Sequence, residues 1–317
     1  MERELTLTRG RKPYARVTVT WSDGLTSGKV GNQAIVEPDG AMTGWIGGAC
    51  SREQVLRHCR EALVAGVPRV LCLGEAKLFA LGADGRVHEP ITCASEGALE
   101  LFIEPRLPRT QLVVIGDAPV ARTLCQLGRA MQYDVLAVLL EEGDRPDAHD
   151  VVRELSPDAL KAAGVDETSF VVVATMGQYD EDAVYAALKT KAPYVALVAS
   201  KRRGESIRLS LGERDLCGGR LGKLRAPAGL DLGPIPHEEI AVAVLAEIVR
   251  EKAAGMGRPK VQLEPREEKL DPVCGMTVDV QNARFRFEHD GQEYVFCCAG
   301  CRDRFSKDPA VWLREAG

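Results

Sequence analysis

Between residues 111 and 200 the chain repeats one pattern, a short and almost purely apolar run followed by a helical stretch. The runs are QLVVIG (111–116), YDVLAVLL (133–140), SFVVVAT (169–175) and YVALVAS (194–200), and APVARTLCQLGRAM (118–131) and EDAVYAALKT (181–190) lie between them as helices. A strand that is apolar at every position is buried on both faces. Parallel strands also need long crossovers, usually helical. The pattern therefore predicts a parallel sheet covered on both sides over residues 109–257. A helix over 236–255 closes it, with Pro236 near its first turn and Gly255 past its end.

The preceding residues, 1–108, read differently. RVTVTW (16–21), NQAIVE (32–37), RVLCLG (69–74) and ALELFIEP (98–105) are strand patterns, and residues 52–66 carry apolar side chains at helical spacing. This is an α+β domain that starts almost at its first strand, with no opening helix. Residues 258–270 are polar and proline-containing, a linker. The last 47 residues, 271–317, form a third unit, too short to bury much surface without a staple.

A net charge of -5 argues against nucleic acid or an anionic membrane surface as partner, and no apolar run reaches membrane-spanning length. The N-terminal residues lack an apolar signal core, so the expected location is the cytoplasm. There the ten cysteines remain reduced and available to metal or chemistry.

In the tail, Cys274, Cys297 and Cys301 are spaced C-x22-C-x3-C, which suits a tetrahedral soft-metal site with zinc or another heavy metal. The fourth ligand is open between Cys298, a backbone or solvent group, and a partner. Buried, metal-free cysteines are the blander reading of the same residues.

Two glycine loops stand out elsewhere. VVIGDAPVARTL (113–124) sits where a dinucleotide fingerprint would, but its glycine pattern runs Gly116, Ala118, Ala121. Ala118 places a methyl group where a pyrophosphate needs bare backbone, so the loop speaks for a Rossmann-like fold more than for NAD. Glu141 lies where a ribose-binding acid belongs. Thr175, Gly177 and Asp180, in ATMGQYDED (174–182), line the same sheet edge, with Asp180 also a candidate helix cap. On this reading a bulky residue at Gly116 impairs ligand handling while the domain stays folded. The second loop, GWIGGACSR (44–52), offers Gly44, Gly47 and Gly48 as anion-binding backbone and Cys50 as a thiol at a helix start. Cys93, in ITCASEGALELF (91–102), is a further candidate thiol. No Ser–His–Asp set or carboxylate pair marks a self-contained enzyme.

Six segments in order, among them GWIGGACS (44–51), ITCASEGALELFIEP (91–105) and VVVATMGQYDEDAV (171–184), resemble the xanthine dehydrogenase accessory (XdhC/CoxI) family. DPVCGM (271–276), YVFCCAGC (294–301) and RFSKDP (304–309) resemble the YHS domain of the TRASH-like group, which implies a treble-clef-like, Cys-rich fold holding zinc or another soft metal on Cys274, Cys297 and Cys301. The first resemblance implies a maturation factor for a molybdenum hydroxylase of the xanthine or CO dehydrogenase type. Such a factor binds the molybdenum cofactor transiently, assists its sulfuration and delivers it to the apo-enzyme, in company with a cysteine desulfurase. It also implies cofactor contacts for Gly44, Gly47, Gly48, Cys50, Cys93, Gly116, Ala118, Thr175, Gly177 and Asp180, with Cys50 and Cys93 close together. A homodimer is compatible with this reading. The rivals are an NAD(P)-dependent oxidoreductase and a metal sensor or metallochaperone led by the tail.

Overall fold

The computed structural model describes residues 2–24, 26–79, 85–90, 97–142, 145–214, 216, 218–261, 263, 267–281 and 283–314; the side chain of Cys50 also lies outside the described set. The chain forms two compact units, one made of residues 1–107 together with 260–317, the other of residues 108–259.

The first segment opens with helix α1 (Glu2–Arg9), followed by β1 (Tyr14–Asp23), β2 (Gln33–Val36), β3 (Met42–Gly44), α2 (Ala49–Ala65), β4 (Arg69–Leu73), β5 (Val87–Glu89) and β6 (Ala98–Arg106). The opening helix corrects the expectation of a start at the first strand. Eight residues are too few to show helical periodicity or to be stable alone. Tertiary contact supplies what the sequence does not show: Leu7 is buried with Tyr14 and Ile35, and the Tyr14 hydroxyl donates to Glu4 at 3.1 Å. Glu2 and Glu4 at the start and Arg9 at the end also complement the helix dipole.

The sheet runs β3-β2-β1-β6-β4-β5, antiparallel except for the β4–β5 pair. Alternation in β1 turns Ala15, Val17 and Val19 inward, where they meet Val55, Leu56, Cys59 and Leu63 of α2. Gly66 ends α2 at φ 71°, its N–H bonded to Ala62.

The second unit contains β7 (Gln111–Ile115), α3 (Pro119–Ala130), β8 (Asp134–Val138), β9 (Asp150–Val152), α4 (Pro157–Ala162), β10 (Ser169–Val173), α5 (Asp180–Leu188), β11 (Tyr194–Leu197), α6 (Lys201–Glu213), α7 (Gly218–Leu221), β12 (Leu224–Arg225) and α8 (His237–Ala253). Its six strands are parallel, in the order β12-β11-β10-β7-β8-β9. Counted within the unit this is the Rossmann arrangement, with the topological switch between β7 and β10. One face packs against α3 and α8, the other against α4, α5 and α6. Helix α6 escapes the sequence pattern because it is highly charged and turns only Gly204, Ile207 and Leu211 inward. Ser200 starts it, accepting from the Arg203 N–H at 3.3 Å.

The tail has two antiparallel hairpins, β13 (Glu268–Leu270) with β14 (Thr277–Asp279) and β15 (Phe285–His289) with β16 (Gln292–Phe296), then α9 (Ala299–Lys307) and α10 (Pro309–Arg314). Asp290 and Gly291, at φ 51° and 75°, make the two-residue turn that suits strand twist. Phe305 is fully buried, with the rings of Tyr294 and Phe296 at 4.9 and 5.1 Å. The tail also meets the first segment: Val261 joins the first core, and Gln54 Nε2 lies 2.8 Å from Met276 Sδ.

Candidate functional sites

The thiols gather where the two tail hairpins meet. The Asp271 N–H donates to Met276 O, and the Gly275 N–H to Asp271 O, both at 2.8 Å, which folds residues 271–276 into a tight loop. Gly275 has φ 72° with open space around it, so backbone conformation alone calls for glycine there. Asp271 is buried; its two carboxylate oxygens accept from the Val273 N–H at 2.9 Å and the Cys297 N–H at 2.8 Å. This carboxylate joins the Cys274 loop to the end of β16. Cys301 lies one turn further on, in α9.

The sulfurs of Cys274 and Cys297 are 3.6 Å apart, those of Cys297 and Cys301 3.7 Å. Tetrahedral zinc with bonds near 2.3 Å places its sulfurs about 3.8 Å apart, so the spacing fits a shared ion. A ligand atom of Asp271 lies within the same 4.8 Å group. Asp271 is the member that sequence spacing did not reveal, since an Asp before Pro reads as a turn residue. Cys298 is the N-cap of α9 and stands outside the group of four.

A hydrogen bond from the Cys297 thiol holds Cys274 below the ordinary thiol value, at about 7. Donating that bond, together with burial, pushes Cys297 far up, and burial also raises Cys301. The folded value of Cys274 lies below its unfolded one. Its ionisation therefore stabilises the metal-free fold above the ordinary thiol range, and that contribution fades as pH falls through about 7. In metal-free protein, alkylation of Cys274 by iodoacetamide is expected to rise around pH 7 while Cys297 stays unmodified. Peptide mass spectrometry reads both, and a midpoint near the unperturbed 8.5 or so would remove the proposed pairing.

The glycine loop of the first segment separates into two kinds of position. Gly44 has φ 111°, and a Cβ there would lie 2.4 Å from Gln33 O; Gly47 has φ 148°, with Ser51 Oγ at 3.1 Å. The fold itself demands both. Gly48, the N-cap of α2 at φ -70°, would place a Cβ no nearer than 3.5 Å to Ser27 Oγ, and no side chain caps the helix. The loop borders a cavity of about 330 Å³, with Arg52 and Leu56 of α2 on one side and Arg284, Phe285, Phe296 and Cys297 of the tail on the other. Arg52 lies 3.4 Å from Met42 Sδ. Neither Arg52 nor Arg284 stands out in the sequence: Arg52 only closes the glycine-loop motif, and Arg284 stands in no motif. Cys93 and the Cys50 side chain lie outside the described residues.

In the second unit, Gly116 and Thr175 follow the two strands that flank the switch point. Gly116 has φ 115°, and a Cβ would lie 2.2 Å from Ala174 O. This overturns the expectation that a bulky residue there leaves the domain folded. Ala118 is the buried N-cap of α3, with Pro119 next. Asp180 is buried and committed: it accepts from the Thr175 hydroxyl, from the Gly177 N–H at 3.2 Å and from Arg203 Nε at 3.1 Å. These bonds brace the loop, whereas Gly177 has open space around it and Met176 is exposed at φ 55°. Tyr179 has its hydroxyl pKa raised by burial, then by the nearby carboxylates of Asp117 and Glu141, so this sheet edge is acidic.

Three families match the chain: the XdhC Rossmann domain over residues 112–248, the XdhC and CoxI family over 7–74, and the YHS domain over 270–315. Among curated proteins, the uncharacterized protein YqeB of Escherichia coli (strain K12) is 27% identical over 290 residues, 89% of this chain and 52% of YqeB, so the chain spans about half the length of that relative. A copper-transporting P-type ATPase of Rhizobium leguminosarum bv. viciae is 45% identical over 43 residues, 14% of this chain and 5% of the ATPase. A crystal structure of a xanthine dehydrogenase from Bacillus halodurans is 15% identical, with 82% of this chain and 97% of that one covered and a TM-score of 0.40. Among the described residues, no helix is long and apolar enough to cross a membrane.

Proposed function

We propose that this chain, which belongs to the XdhC and CoxI family and ends in a YHS domain, is an accessory protein of a molybdenum hydroxylase of the xanthine or CO dehydrogenase type. In this reading it receives the molybdenum cofactor in the cytoplasm, shelters it during sulfuration and passes it to the apo-enzyme, with a cysteine desulfurase as second partner. It acts as a carrier rather than a self-contained catalyst.

The observation that supports this most is the cavity beside the glycine loop. Its volume of about 330 Å³ suits a small organic cofactor. Arg52 and Arg284 offer charge to a phosphate, and the bare backbone of Gly48 allows close approach. Ile46, Phe285 and Phe296 offer apolar surface to a flat ring. When bound, the cofactor supplies the molybdenum and its sulfur chemistry. The chain's own residues hold the phosphate, cover the ring and limit water. The tail's Cys274, Cys297, Cys301 and Asp271 suit zinc or another soft ion, the second group this reading requires.

Purification of the full chain from a cofactor-producing host tests the proposal. A fluorescent oxidised pterin is expected to copurify in near-stoichiometric amount, and Arg52→Glu is expected to reduce it at least tenfold with the fold intact. Micromolar NAD or NADP binding by calorimetry, with no pterin, would favour an oxidoreductase instead. Zinc or copper as the sole bound species would favour a metallochaperone.

A further inference from the structure

Of the four groups gathered in the tail, Asp271, Cys297 and Cys301 are buried and Cys274 is half-buried. Cys274 is therefore the most exposed of the four, although Cys297 also borders the glycine-loop cavity. On the Cys274 side lies a second cavity of about 160 Å³, walled by Cys274 and Met276 of the tail and by Gln54 of α2. Among the described residues, four carboxylates, those of Glu53, Glu89, Glu268 and Asp279, line it against one guanidinium, Arg57, which holds Glu89 at 2.6 Å.

Gln54 is the unusual member. It is 8% exposed, its Nε2 lies against Met276 Sδ, and its Oε1 is buried with no hydrogen-bond partner among the described residues. A buried amide oxygen without a donor is destabilising. An amide oxygen is also a common cation ligand, and thioethers favour softer ions. The two atoms stand beside the most accessible thiol of the cluster.

We propose that this chamber is the port of the tail's thiol centre, with a transient cation position formed by Gln54 Oε1, Met276 Sδ and the carboxylates of Glu53 and Glu268. The cation class is a partly dehydrated borderline or soft ion such as zinc. This rests on the reading that the thiol cluster holds a metal. The carboxylates raise the local cation concentration. Gln54 and Met276 then replace part of the ion's water shell before Cys274 takes it. Half of the port belongs to α2, so metal exchange is a property of the docked tail rather than of the tail alone.

The test follows zinc uptake by the full chain in stopped flow, and zinc release to an excess of a chromogenic chelator. Gln54→Leu keeps the size but removes the amide oxygen; it is expected to bind one zinc with unchanged affinity while uptake and release both slow about tenfold. The double variant Glu53→Gln with Glu268→Gln is expected to slow uptake about tenfold at low salt, with a smaller effect at high salt. Asp290→Asn, at the exposed tip of the β15–β16 turn, is expected to change neither rate. One zinc bound with wild-type rates in both port variants overturns the port and leaves the thiol centre standing. A wild-type chain that takes up no zinc overturns the thiol centre itself.

Discussion

Cys297→Ser is expected to abolish stoichiometric zinc binding by the full chain and to remove several kcal/mol from the zinc-dependent stability of the tail. Structural zinc supplies roughly 10–16 kcal/mol of apparent folding free energy to zinc-finger peptides, so one lost thiolate is a large loss. Cys297 is the central member of the cluster, 3.6 Å from one partner sulfur and 3.7 Å from the other. Serine preserves the backbone N–H bond to Asp271, so the variant removes the sulfur more than the loop geometry. Cys298→Ser, outside the group of four, is expected to keep its zinc. Chelator titration gives the stoichiometry, and limited proteolysis of residues 271–317 with and without zinc gives the stability. Equal resistance after complete chelation would show that the aromatic cluster around Phe305 suffices and that the thiols only pack.

Gly116→Val is expected to destabilise the second unit by more than about 4 kcal/mol, a size reserved for a few severe mechanisms. Two of them act together here. The φ of 115° is hostile to a β-branched residue, and the new Cβ would lie 2.2 Å from a backbone oxygen of the neighbouring strand's end. A backbone atom cannot rotate away as a side chain can. Against a typical total stability of about 5–15 kcal/mol this is a large share, and a urea titration followed by circular dichroism is expected to show a strongly lowered midpoint. An unchanged midpoint would mean that the loop has room the structure does not show. Gly48→Ser is the informative contrast. Its backbone is ordinary, serine is a favourable helix N-cap, and the fold is expected to change by only a few tenths of a kcal/mol. Loss of bound pterin in that variant would then report on the cavity.

The elements most legible in the sequence were those whose burial repeats along the chain. The fully buried β7 and β10 could be read directly because, after Gln111 and Ser169 at their starts, two covered faces leave only apolar positions, and the long helix α8 because its length shows the helical period. Short pieces such as β3 and β5 could not, since three residues carry no period. Strand order was also out of reach: the switch between β7 and β10 arises from crossover packing. At the thiol centre, spacing pointed to three sulfurs, but Asp271 acts through backbone bonds that no motif encodes. Gly44, Gly47 and Gly116 illustrate the converse limit. A glycine read as a place for a ligand can be required by a neighbouring backbone, and only the surrounding atoms tell the two apart.

The first unit draws on both ends of the chain, with residues 108–259 inserted between its parts. On a ribosome this sets an order of events. The inserted unit is contiguous and can complete its core as soon as it emerges, whereas residues 1–107 must wait for residues 260–317 before they gain the tail that meets Gln54 and walls the glycine-loop cavity. At about 5–20 residues per second, the half-built first unit spends roughly ten seconds or more with its glycine loop uncovered. The cavity therefore comes into being only after residues 260–317 have emerged, and a chain cut before them would carry a finished second unit beside an open first one.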